Sequence, residues 1–229
     1  MKTFKFALLI LLLTFSGVIS LQAQEEFSKG LGLAAKSSTN GFGGDAVFNF
    51  HKRMSVRLGY EKLALTSSFS FDEESVDYDA NVDFQTGSVS LLFDYYLARH
   101  LFVTGGAGLN MFNTIVDGEA ASYMQYGDIQ IPREDIGTFG FEVSPSSKIS
   151  PYAGIGFGRT LGYKNKVGFA FELGGFYQGP PEITITSTGL LSPTSNPDQQ
   201  QAERLEGQIN QYNIYPVLKF SLSYKIIGF

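Results

Sequence analysis

The sequence predicts an all-β chain: an eight-stranded antiparallel up-and-down transmembrane β-barrel with a short helix in its last outer loop. Three observations predict it. Eight segments alternate with a period of two. In each, the charged face is also the glycine-rich face, whereas a soluble sandwich packs large aliphatics inside and turns its polar residues out. The connections alternate as well, three short basic turns against longer loops, with the first long-side connection an exception.

Residues 1–23 read as a secretory signal peptide. Lys2 and Lys5 precede an apolar run from Phe6 to Ile19. That run is shorter than the roughly 20 residues a membrane-spanning helix needs. Ala23 is the small residue for cleavage and follows the bulkier Leu21 by two. Residues 24–229 then form one domain, with no Pro- or Ser-rich linker to divide it.

The segments follow in order. "KGLGLAAK" sets Leu31, Leu33 and Ala35 against Gly30, Gly32, Ala34 and Lys36. "GDAVFNFH" sets Ala46, Phe48 and Phe50 against Asp45, Val47, Asn49 and His51. "MSVRLGYE" sets Met54, Val56, Leu58 and Tyr60 against Ser55, Arg57, Gly59 and Glu61. "SVSLLFDYYL" sets Val89, Leu91, Phe93 and Tyr95 against Ser88, Ser90, Leu92, Asp94 and Tyr96. "LFVTGGAGLNMF" sets Leu101, Val103, Ala107 and Leu109 against Thr104, Gly106, Gly108 and Asn110. "SPYAGIGFGR" sets Ala153, Ile155 and Phe157 against Tyr152, Gly154, Gly156 and Arg159, with a slip of phase near its end. "KVGFAFELGGFY" sets Val167, Phe169, Phe171 and Leu173 against Gly168, Ala170, Glu172 and Gly174. The last segment sets Leu218, Phe220, Leu222, Tyr224 and Ile226 against Lys219, Ser221, Ser223 and Lys225.

One face is therefore apolar throughout and suits lipid. The other is small and polar and suits the tight interior of an eight-stranded barrel. Closure leaves no sheet edge exposed to lipid. "HKRM", "ARH" and "TLGYKNK" are the short turns, and Ser38–Gly43, Ser67–Asn81, Thr114–Lys148 and Gly179–Tyr212 are the connections at the other end. Short turns on the periplasmic side would put both termini there.

Composition excludes several classes. With 0 Cys there is no disulfide, no thiolate zinc site and no lipidated cysteine. The net charge is -5, and loss of Lys2 and Lys5 with the signal makes it -7, two positive charges fewer. Such a balance offers nothing to a nucleic acid.

The chain resembles the small outer-membrane β-barrels of Gram-negative bacteria, the broad OmpA/OmpW-like group, and within it an uncharacterised subfamily. "SLLFDYYL", "PYAGIGFG", "FELGGFYQGPPEITIT" and "YPVLKFSLSYKI" carry the likeness, which covers the mature chain. It implies an outer-membrane location, contact with outer-membrane lipids and lipopolysaccharide, and assembly by the barrel-insertion machinery. It implies no reaction. Such barrels end on an aromatic residue in phase with the lipid face. Here that phase ends at Ile226, so Phe229 is out of phase unless a bulge intervenes.

Nine charged residues are expected in the lumen: Lys36, Asp45, Arg57, Glu61, Asp94, Arg159, Glu172, Lys219 and Lys225. Buried charges must be paired, and five basic against four acidic groups suit mutual pairing better than a selective field. An ion path or a solute site is the competing use. His51 and His100, the two histidines, sit beside Lys or Arg in short turns and fit neither a metal site nor a base acting at the outer leaflet. No catalytic residue, cofactor or metal ligand stands out. The acidic stretch "SFDEESVDYDA" lacks the glycine and spacing of a calcium loop and reads as a solvated hairpin tip, with cation bridging to lipopolysaccharide as the rival use. "NPDQQQAERLEGQINQY" is helical, with Ala202, Leu205, Ile209 and Tyr212 on one stripe. It would pack on the barrel rim or form a lid over the mouth.

The expectation is a non-enzymatic outer-membrane barrel with a packed lumen and a structural or surface-interaction role, its surface ligand undetermined. A narrow channel or transporter for a small or apolar solute is the alternative, and a lipid-modifying enzyme comes third.

Overall fold

A computed structural model describes residues 29–73, 76–162, 165–196, 200–209 and 211–229. The expected signal peptide lies outside the described residues. Period-two alternation lets each segment bury its small and polar face while exposing its apolar one, and eight strands do so around a ring. They are β1 (Gly30–Ser38), β2 (Gly41–His51), β3 (Met54–Glu73), β4 (Val76–Tyr96) and β5 (Leu101–Asn110), followed later in the chain by three more. Between them come β6 (Asn113–Ala120), β7 (Met124–Tyr126), β8 (Ile129–Ile131), a single helical turn α1 (Arg133–Ile136) and β9 (Thr138–Pro145). Then come β10 (Ile149–Gly158), β11 (Val167–Tyr177), β12 (Pro181–Ser187), a 3-10 segment (Gly189–Ser195), α2 (Gln201–Ile209) and β13 (Ile214–Gly228).

Antiparallel pairing runs β1–β2–β3–β4–β5–β10–β11–β13 and returns from β13 to β1. The eight strands therefore form a closed ring with no free edge at that level. β1 shows the alternation plainly: Leu31, Leu33 and Ala35 are exposed, while Gly30, Gly32, Ala34 and Lys36 are buried.

Above the ring the structure differs from the sequence expectation. The stretches read as loops at Ser67–Asn81, Thr114–Lys148 and Gly179–Tyr212 contain long strand extensions. β3 and β4 stay in one unbroken register up to Glu73 opposite Val76. The far half of β4 pairs with β6, β6 with β9, and β9 with β12. A five-stranded sheet thus rises from one side of the ring. Its polarity is inverted. On β3 the outward positions Leu58 and Tyr60 give way to Lys62, Thr66, Ser68 and Ser70, while the inward positions Arg57 and Glu61 give way to Leu63, Leu65, Phe69 and Phe71. A period-two signal that changes sign reads as irregular, although the strand geometry is continuous.

The end of the chain holds the bulge. Gly30 pairs with Gly228 and Leu31 with Ile227, but Gly32 pairs with Lys225, so Ile226 is the extra residue. One added residue swaps the faces. Phe229 is thereby returned to the outer surface, where its ring lies 6.4 Å from that of Phe48.

Candidate functional site

The inward positions of the ring bring seven of the nine expected lumen charges together. Lys36 on β1 donates to Asp45 on β2 at 2.7 Å and approaches Glu61 at 3.7 Å. Gly59, directly opposite Asp45, leaves the space; a Cβ there would strike the Asp45 carboxylate and the Lys36 ammonium. Arg57 on β3 forks onto Asp94 of β4, with Nη2 at 2.7 Å and Nε at 3.1 Å from Oδ1. It also faces Asp45 at 3.7 Å. Its Nη2 reaches Glu172 on β11 at 2.6 Å. β11 lies four strands from β3 whichever way the ring is counted, so this pair spans the ring's diameter.

Lys219 on β13 stands opposite Glu172 in the register and lies 4.0 Å from both Glu172 and Glu61. Its ammonium sits over the Tyr152 ring, 4.1 Å from the centroid. All seven side chains are at most 3 % exposed. Neutral donors complete the carboxylates. Glu61 accepts from Ser38 at 2.8 Å and from Asn40 at 3.0 Å. Asp94 accepts from Ser55 at 2.9 Å and Thr104 at 2.8 Å, and the Tyr152 hydroxyl donates to Glu172. Charge-assisted bonds of this kind are what a dry interior requires of ionised groups.

Apolar clusters flank the charges. Leu92, Tyr152, Phe176 and Val217 pack towards the long-loop end, while Tyr96, Phe102 and Ala170 pack towards the short-turn end. Leu161 is fully buried against Ala34 and Val47. It arrives from the turn after β10, which folds into the ring. Beside it Thr160 bonds to Asp94 at 3.1 Å and to the Tyr96 hydroxyl at 2.8 Å. Gly32 provides the room for Leu161, since a Cβ at that position would meet its side chain. In the sequence "TLGYKNK" reads as a plain basic turn and gives no sign of this plug. One buried residue in a turn leaves no periodic trace.

Arg159 and Lys225 stand apart from the cluster, at the short-turn end. Arg159 stacks on Tyr96 at 4.1 Å and donates to the Arg99 carbonyl at 2.7 Å. Lys225 is half-buried, with its stem beside Gly30. His51 accepts from the Arg53 amide at 3.2 Å and the His100 ring lies 5.9 Å from Phe157, both at the same end. Among the described residues no three His, Asp or Glu side chains converge as a metal would need. In the acidic hairpin, Asp72, Asp77 and Asp79 are exposed, and Glu74 lies outside the described residues.

The helix is shorter than its sequence pattern suggested. Asn196 follows the 3-10 segment, Pro197 lies outside the described residues, and α2 runs only from Gln201 to Ile209. Ala202, Leu205 and Ile209 are half-buried. α2 lies on β12, where Glu206 accepts from the Ile183 amide at 2.8 Å. Tyr212 falls beyond the helix and is exposed, because the chain turns there, with the Tyr212 amide donating to the Ile209 carbonyl at 2.9 Å. Ile209 and Tyr212 line a cavity of about 360 Å³ together with Phe112, Val143 and Tyr215.

No protein-family model matches the chain. No curated protein sequence matches it either. Solved structures do resemble it. The crystal structure of Acinetobacter baumannii CarO2 is similar with a TM-score of 0.56 and 18% identity, over 88% of this chain and 100% of that one. The crystal structure of Acinetobacter baumannii CarO is similar with a TM-score of 0.52 and 22% identity, over 86% of this chain and 98% of that one. At these identities the likeness is one of fold.

Proposed function

We propose that the chain is an integral β-barrel protein of a Gram-negative outer membrane, non-enzymatic, with a packed lumen and a structural or surface-interaction role. The inversion of polarity along β3 carries this reading. A belt of exposed apolar side chains, among them Leu33, Leu58, Leu91, Phe157, Phe169 and Leu222, surrounds the ring. Above Tyr60 the same face becomes Lys62, Thr66 and Ser68. Lipid against the ring and water against the extension account for both halves of the pattern. The extension would then stand outside the cell, with both ends of the ring domain in the periplasm. Phe229, turned outward beside Phe48, suits recognition by the insertion machinery. The fold likeness to the CarO structures supports the barrel.

The Arg57–Glu172 pair crosses the interior, with apolar clusters on either side, which supports a plug over a pore. Purified protein in planar bilayers tests it. Wild type should add no conductance steps above the lipid baseline. Stable single-channel steps in wild type would replace the packed-lumen reading with that of a narrow channel.

A further inference from the structure

The short-turn end of the ring is basic. His51, Lys52 and Arg53 lie where β2 turns into β3, Arg99 and His100 between β4 and β5, and Arg159 and Lys166 between β10 and β11. None of these three turns carries an acidic residue. Among the described residues, the carboxylates outside the ring interior lie on the extension and its loops, as Asp72, Asp79, Asp117 and Glu142 do. The chain as a whole is acidic, so the basic end is a local feature and not a reflection of composition.

A cavity of about 340 Å³ opens between two of these turns, within the roughly 300–1,000 Å³ of small-molecule sites. Arg99, His100 and Arg159 line it together with Phe157, Val167 and Phe169, which belong to the exposed apolar belt. Its walls are held in place. The Arg159 guanidinium stacks on Tyr96 and donates to the carbonyls of Arg99 at 2.7 Å and Lys52 at 3.3 Å, which ties the three turns together. The Gly158 amide donates to the His100 carbonyl at 2.6 Å, and the Arg159 amide to that of Phe169 at 2.7 Å.

We propose, on the membrane reading above, that this cavity seats the headgroup of an anionic phospholipid. Arg99, His100 and Arg159 face its phosphodiester, and its acyl chains run along Phe157 and Phe169. A small anion would use the cations and leave the aromatic wall unused. A neutral lipid would do the reverse. An anionic amphiphile uses both. Arginine suits the phosphate because its planar fork meets two oxygens at once. The depth agrees as well, since the cations stand where the apolar belt ends, at the level of headgroups. Lipopolysaccharide is the wrong source of phosphate here, because on the same reading the acidic extension faces the outer leaflet and the basic turns face the inner one.

The chain contains no Trp, so Phe171→Trp gives a single fluorophore. Phe171 pairs with Phe157 and does not line the cavity. Leu58→Trp, on the strand across the ring, is the control. Each is placed in phosphatidylcholine vesicles with brominated phosphatidylglycerol or brominated phosphatidylcholine as quencher, and the heat-modifiable gel band confirms a folded ring. Phe171→Trp should favour phosphatidylglycerol on the order of tenfold, as two arginines at a membrane surface would, and Leu58→Trp should show little preference. Adding Arg99→Gln should lower that preference about fivefold, the effect of one surface cation, whereas Arg99→Lys should keep most of it. Equal quenching of Phe171→Trp by the two lipids, or a preference unmoved by Arg99→Gln, overturns the headgroup site and leaves the membrane reading standing. A preference abolished by inorganic phosphate at constant ionic strength assigns the cations to a free anion and overturns the proposal too. No quenching of either tryptophan by either lipid refutes the membrane reading itself, and the site with it.

Discussion

Arg57 pairs with Asp45, Asp94 and Glu172, and through Glu172 it ties β3 to the strand across the ring. Its removal would leave three carboxylates in a dry interior with only Lys36 and Lys219 to balance them and Glu61. Breaking one buried pair by deleting a partner costs about 3–5 kcal/mol. Arg57→Ala should therefore destabilise the ring by about that amount, read from urea unfolding in lipid vesicles. Arg57→Lys should recover only part of it, because an ammonium lacks the planar fork that meets Asp94 through two nitrogens. An unchanged unfolding midpoint for Arg57→Ala would mean that the carboxylates are hydrated rather than paired.

At the level of the element, two short irregularities decide what regular strands cannot. The turn after β10 sends Leu161 inward against Ala34 and Val47. Truncating a fully buried leucine costs about 2–5 kcal/mol. Leu161→Ala should fall in that range in the same unfolding assay, whereas a loss within the scatter of surface substitutions would show that the turn merely lies at the rim. The bulge at Ile226 sets the direction of Phe229. Phe229→Ala removes the ring beside Phe48 and leaves the bulge and the strand register in place. Assembly by the insertion machinery into vesicles should then slow, with the folded barrel little changed once formed. Equal assembly rates would remove Phe229 from any role in recognition.

For the whole molecule, the polarity inversion places a boundary between Tyr60 and Lys62. Single cysteines map it on a background free of native thiols. In membranes, Leu58→Cys, Phe93→Cys, Phe157→Cys and Leu222→Cys should resist a water-soluble maleimide. Ser68→Cys and Thr184→Cys should react quickly. Rapid labelling of the first group would place the ring in water and remove the membrane reading.

Ring strands and facing were legible in the sequence because a strand repeats every two residues. Apolar Leu31, Leu33, Phe48, Leu58, Phe93 and Leu222 all face outward, and the seven charges of the cluster all face inward. The pairing partners were not legible. Arg57 and Glu172 are 115 residues apart, and only ring closure brings their strands face to face. The extension was hidden for another reason. Its alternation is as regular as that of the ring, but its sign depends on whether lipid or water lies outside, and local sequence does not state that. The bulge at Ile226 and the inward turn at Leu161 were settled by tertiary contacts alone. Each is a single-residue departure from periodicity, and only the neighbouring strand or the space inside the ring determines where such a residue goes.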